Sequence, residues 1–223
     1  MKKQNAEENR YFWISFALTL LTNRIAFWGG RLLTQGRVHH SLALPADFAF
    51  PFWPWTVSVY LGCFVFWFLL YRLAAGLRRE QADRFFCANH LGKAVCLLLF
   101  VLIPTTITRP VVSGSSFWEN GIRMVYSLDE PDCLFPSVHC FISWLCWVGV
   151  RGNKKVPFLW RAAALLMAVL VCLSTLTVRQ HVLLDVFAGI ALSEISYWIA
   201  GIPAVRSLHS RLVGRIAGFL AGQ

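Results

Sequence analysis

The stretch CLFPSVHCFISWLCWVGV, residues 133–150, decides how this chain is read. Its second half is an apolar run broken by one serine, while a proline, a serine and a histidine interrupt its start. A run of this length predicts a helix buried in a bundle or in lipid. An ionisable residue at that depth costs free energy, so its presence points to a use. Working outward, comparable apolar runs occupy residues 11–30, 54–73, 91–108, 156–178 and 182–202. Two further polar interruptions sit at their ends: Arg109-Pro110 after the third run, and His181 with Asp185 at the start of the sixth. The expectation is an all-α integral membrane bundle of six transmembrane helices, one membrane domain over residues 1–223, with its motifs in 109–185.

The composition agrees. Hydrophobic residues make up 57% of the 223, charged residues 14%, and ten are tryptophan, a profile of multi-spanning membrane proteins rather than soluble domains. A net charge of +10 in such a chain is better explained by the positive-inside rule than by nucleic acid, which is excluded as a partner. Fifteen of the 21 Lys and Arg fall in the N-terminal tail, the second and fourth connections and the C-terminal tail; Arg24, Arg31, Arg37, Arg109, Arg123 and Arg179 fall on the other side. Both termini are therefore expected to be cytoplasmic, with all three polar signatures on the outer face. The first run follows Lys2 and Lys3 like a signal peptide, but no small-residue cleavage site follows and Asn23-Arg24 interrupts it, so it is read as a retained span. Residues 204–220, with Arg206, Arg211 and Arg215, suit an amphipathic helix on the anionic inner leaflet, with a solvated tail as the alternative. The connection 109–132 is the natural lid or head-group reader. All seven cysteines are read as structural. Short loops without an Asn-x-Ser/Thr site favour a multi-pass protein of a bacterial cytoplasmic membrane.

The chemistry follows from residue types and spacing. His181 and Asp185 stand at i and i+4, on one helical face. A carboxylate there holds one imidazole nitrogen as N–H and frees the other as a nucleophile or base. Pro136 suits a first helical turn and places Ser137 and His139 at a helix N-terminus, which favours an anion. Arg109 adds a planar donor fork matched to phosphate. Two histidines, one backed by a carboxylate, around an anion cradle imply phosphoryl transfer.

With these residues the chain resembles the type 2 phosphatidic acid phosphatase superfamily of membrane lipid phosphatases and phosphotransferases. The family's three motifs are matched in order by Arg109-Pro110, by Pro136-Ser137-Val138-His139, and by Ser174-Thr175, His181 and Asp185. The resemblance implies a phosphohistidine at His181 oriented by Asp185, with His139 as general acid. Phosphate binding would fall to Arg109 and Ser137. It implies no metal and no other cofactor. The chain departs from the motifs at Leu102, Val138 and Thr175, which stand where the family carries lysine, glycine and arginine. Arg179 and Arg123 are the candidate replacements for the two missing cations. The run 177–185 looks like the branch that includes inositol phosphoryl transferases acting on ceramide.

The function expected is hydrolysis of a lipid phosphomonoester or diphosphate at the extracytoplasmic face, with undecaprenyl diphosphate, phosphatidic acid and phosphatidylglycerol phosphate as candidate substrates. Phosphotransfer to an alcohol acceptor is the enzymatic alternative. A non-catalytic lipid transporter or scaffold is the alternative of another class, and the missing cations are its main support. Arg24, Asn23 and Glu194 are the other polar residues at membrane depth and functional candidates by that placement: Arg24 is expected to snorkel or to touch the site, and Glu194 to pair away from the site or stay protonated. The aromatic residues read as interfacial belt and lipid-facing packing.

Overall fold

A computed structural model describes residues 2–220, and only the backbone of residues 2–5. Lys2 and Lys3 of the charge count thus lie outside the described side chains, as residues 1 and 221–223 lie outside the described fold. Eight α-helices follow in order: α1 Lys2–Thr34, α2 Val57–Ala75, α3 Arg79–Leu102, α4 Phe117–Leu128, α5 Val138–Arg151, α6 Phe158–Thr177, α7 Leu183–Ile199 and α8 Pro203–Leu220. Two 3-10 turns, Pro45–Ala49 and Pro54–Thr56, precede α2. Among the described residues there is no strand, only one isolated bridge between His40 and Thr105.

The all-α expectation holds, and α1, α2, α3, α5, α6 and α7 overlie the six predicted runs. By length and composition three of the described helices suffice to cross a membrane: Pro54–Ala75, Arg79–Leu102 and Phe158–Thr177. A fourth is added if α7 and α8, bent by 89°, count as one span. α5 has 14 residues, roughly 21 Å of helix against a hydrocarbon core of about 30 Å. It lies at the centre of the bundle instead, against α7, α6, α2 and α3. Ten of its residues are buried, which is why its sequence is apolar on every face.

Boundaries differ where a polar side chain finds a partner inside the bundle. The run predicted at 91–108 is a helix from Arg79 that stops at Leu102. Its early polar residues turn toward α1 and α8: Asp83 accepts from Tyr11 at 2.9 Å, His90 meets Thr22 at 3.2 Å and Lys93 donates to Thr19 O at 2.9 Å. Lys93 is therefore no residue of a connection, as the charge count placed it, but a side chain only 1% exposed within α3. α4 arises inside the predicted loop 109–132, started by a capping box in which Ser116 accepts from Glu119 N and Glu119 accepts from Ser116 N. The amphipathic segment predicted at 204–220 is α8.

Candidate active site

Ser137 caps α5, its hydroxyl accepting from Cys140 N at 3.3 Å. Pro136 thus sits just outside the cap rather than in the first turn. Upstream, Thr105 Oγ1 accepts from Leu134 N and Phe135 N, each at 3.1 Å, and fixes the approach to the helix. Ser137 N donates to Asp185 O at 3.0 Å, joining the start of α5 to the first turn of α7. This close approach requires Gly189, where an added Cβ would lie 2.6 Å from Ser137 O.

His181 lies in the link between α6 and α7, its N–H accepted by Thr175 O at 3.1 Å. Its Nδ1 is 3.2 Å from Asp185 Oδ2, which also accepts from Val182 N at 3.1 Å. Asp185 is buried, and its Oδ1 has no partner among the described residues. The His139 ring lies 6.1 Å from that of His181, between centroids. It stacks on Tyr60 at 4.4 Å with Trp67 at 5.4 Å, and its Nε2 is buried without a partner among the described residues. The structure thus brings together the three residues expected to be catalytic. Burial works against the charged form of His181, but the hydrogen bond and the charge of Asp185 outweigh it and hold the imidazole above its ordinary pKa. Burial raises the nearby Asp129 carboxyl, opposed chiefly by Arg31.

The expected phosphate cradle is differently employed. Arg109 donates to Asp129 O at 2.6 Å, to Tyr126 O at 3.4 Å and to Gln180 Oε1, and lies 4.6 Å above the Tyr126 ring. Its Nε is buried without a partner among the described residues, and burial lowers its pKa. Arg179 has a positive φ of 55° and donates to Asp47 O at 2.7 Å and Phe50 O at 2.6 Å. Both arginines, with His181, line a cavity of about 470 Å³. Arg123 stands apart on α4, donating to Val112 O at 2.9 Å and Asn120 at 2.6 Å, and lines neither cavity that touches a candidate histidine. Ser137 is fully buried and serves as a cap. Leu102 is exposed at the end of α3, whereas Thr175 is buried between Cys172 O, 2.7 Å away, and Cys140 Sγ, 3.7 Å away.

His139 lines a second cavity of about 370 Å³, walled by Phe27, Tyr60, Phe64 and Trp67 and carrying Arg24, Arg31 and Asp129. These aromatic residues, read from the sequence as packing, surround a candidate catalytic ring. Tyr60, Phe64 and Trp67 recur at helical spacing, the one signal that would have found them. Asp47 was also missed: its carboxylate accepts from Leu44 N and from Leu183 N at the start of α7, both at 2.7 Å. Only an isolated acid in the apolar segment LPADFAF marked it. Glu194 pairs with Arg151 at 2.5 and 2.6 Å, away from both histidines, as expected. The seven cysteines are buried and unpaired. Among the described residues no group of three His, Cys, Asp or Glu is arranged to hold a metal ion.

A comparison with individual curated proteins found no significant match. A family model for the PAP2 superfamily matches residues 51–199, which span α2 to α7 and contain both histidines and Asp185. By that match the chain belongs to the PAP2 superfamily, whose members are membrane-associated phosphatases and phosphotransferases.

Proposed function

We propose that the chain is a membrane-embedded lipid phosphatase built on a six-helix core, α1 to α3 and α5 to α7, with both termini cytoplasmic and its active site facing outward. The observation that carries this reading is the His181–Asp185 pair with the His139 ring 6.1 Å away. Asp185 holds His181 Nδ1 as N–H, so Nε2 presents its lone pair to phosphorus. As the N–P bond forms, the P–O bond to the lipid breaks and the departing oxygen takes a proton from His139. Water then attacks the phosphohistidine and gives its proton to His139. The N–P bond breaks, releasing phosphate and restoring both histidines. Arg109 and Arg179, on the cavity of His181, neutralise the phosphate oxygens with the charge their backbone contacts leave in place.

Purified protein is expected to release phosphate from a lipid phosphomonoester or diphosphate in chelator-treated buffer, and His181→Ala to abolish it. Retained release in that variant would sink the mechanism. The run 177–185, which resembles that of phosphotransferases, favours a second reading in which an alcohol replaces water in the second half-reaction. In that case the trapped phosphohistidine discharges faster with the alcohol than with water.

A further inference from the structure

We propose that α1, which lies outside the matched residues 51–199, forms part of the substrate site: Arg24 binds the anionic group of a lipid phosphate and Asn23 accepts from a donor close to it, beside His139. This assignment deepens the phosphatase reading and rests on it for the identity of the substrate.

Three observations carry it. Asn23 and Arg24 line the same cavity as His139, and that cavity, of about 370 Å³, has an aromatic wall suited to a lipid chain. Two of its lining residues carry a buried polar atom, Asn23 Oδ1 and His139 Nε2, without a hydrogen-bond partner among the described residues. A buried polar atom without a partner is costly, so two on one cavity mark a place where a ligand supplies the missing bonds. The charges point the same way. Of the cavity's charged residues, Arg31 is held by Asp129 at 3.1 Å and Asp132 at 2.7 Å. Arg24 makes no hydrogen bond or ion pair among the described residues. It is the cation of this cavity still available to an anion, in a chain with Leu102 and Thr175 where the superfamily's motifs carry lysine and arginine.

The chemistry specifies the ligand: a phosphate or diphosphate ester on an apolar chain, with a hydroxyl or amide N–H near the phosphate for Asn23. The test is equilibrium binding of non-hydrolysable lipid phosphonates, with and without such a hydroxyl, to detergent-solubilised full-length protein. Arg24→Ala is expected to weaken both about tenfold, with Arg24→Lys partly restoring affinity, because one charge-assisted contact is lost. Asn23→Ala is expected to weaken only the hydroxyl-bearing phosphonate. In turnover Arg24→Ala is expected to raise KM, with Arg24→Lys partly restoring it. Unchanged phosphonate affinity in Arg24→Ala overturns the assignment, as does a wild type that binds neither phosphonate. Arg24-dependent binding by a protein that releases no phosphate keeps the assignment and overturns the phosphatase reading instead.

Discussion

Two histidine pairs lie inside this bundle, each with one buried and one half-buried ring, and they are built in opposite ways. At the junction of α5 and α7, His181 bonds directly to a carboxylate, and two arginines share its cavity. Between α1, α3 and α8, the rings of His90 and His209 lie 5.3 Å apart, also beside a buried acid, Asp83. That acid is saturated by others: it accepts from Tyr11 at 2.9 Å, Ser210 at 2.7 Å and Arg79 at 3.2 Å. His209 meets hydroxyls instead, Ser15 at 3.3 Å and Tyr11 at 3.5 Å, and stacks on Phe86. Among the described residues, no Arg or Lys lines the cavity beside this second pair. What distinguishes the first pair is a carboxylate on the imidazole itself and cations on the same cavity.

The sharpest break of this comparison is a pair of alanine variants. His181→Ala is expected to lower phosphate release by at least ~10³-fold, as removal of a nucleophile does, while His209→Ala leaves kcat within about twofold. Equal losses would show that the two clusters are not different in kind.

Next comes Asp185→Asn, expected to cost about 10²–10⁴ in kcat because the imidazole loses its orienting acceptor. It also carries a pH signature. His181 is held above the ordinary histidine value, about 6.5, and must be neutral to attack, so activity falls as pH drops through that raised pKa. Asp185→Asn moves this acid limb to lower pH, and Asp83→Asn leaves it in place. Stability runs the other way. The protonated His181–Asp185 pair contributes below the unfolded-state pKa and is lost as pH rises through the raised folded value. A pH–rate profile and thermal unfolding at several pH values check both.

A smaller effect tests the junction itself. Gly189→Ala places a methyl group against Ser137 O and is expected to destabilise by about 1–3 kcal/mol. It also reduces kcat, because α5 and α7 can no longer meet at the same distance. Asp83→Asn is the smallest, a loss of about 1–2 kcal/mol in thermal unfolding with kcat unchanged, since it weakens bonds that join helices rather than a reacting group.

The parts of the site legible in the sequence are those whose geometry is local. His181 and Asp185 meet because four residues make one helical turn, and a helix start was legible at Pro136-Ser137, although Ser137 proved to be its cap rather than a residue of its first turn. Helical runs were legible where they were uniformly apolar. α3 was mistimed because Asp83, Asn89, His90 and Lys93 look like a connection until α1 and α8 supply their partners, and α4 was hidden in a polar loop.

Residue type and short-range periodicity fix the helical class, the apolar runs and the places of His139, His181 and Asp185 along the chain. The tertiary structure decided which cations face which histidine. Guanidinium donors bind whatever carbonyl the folded chain brings within about 3 Å. Arg109 therefore meets Asp129 O and Arg179 meets Asp47 O, while Arg24, far outside the motifs, lines the cavity of His139. Those encounters join residues from separate helices and loops, and no spacing along the chain encodes them.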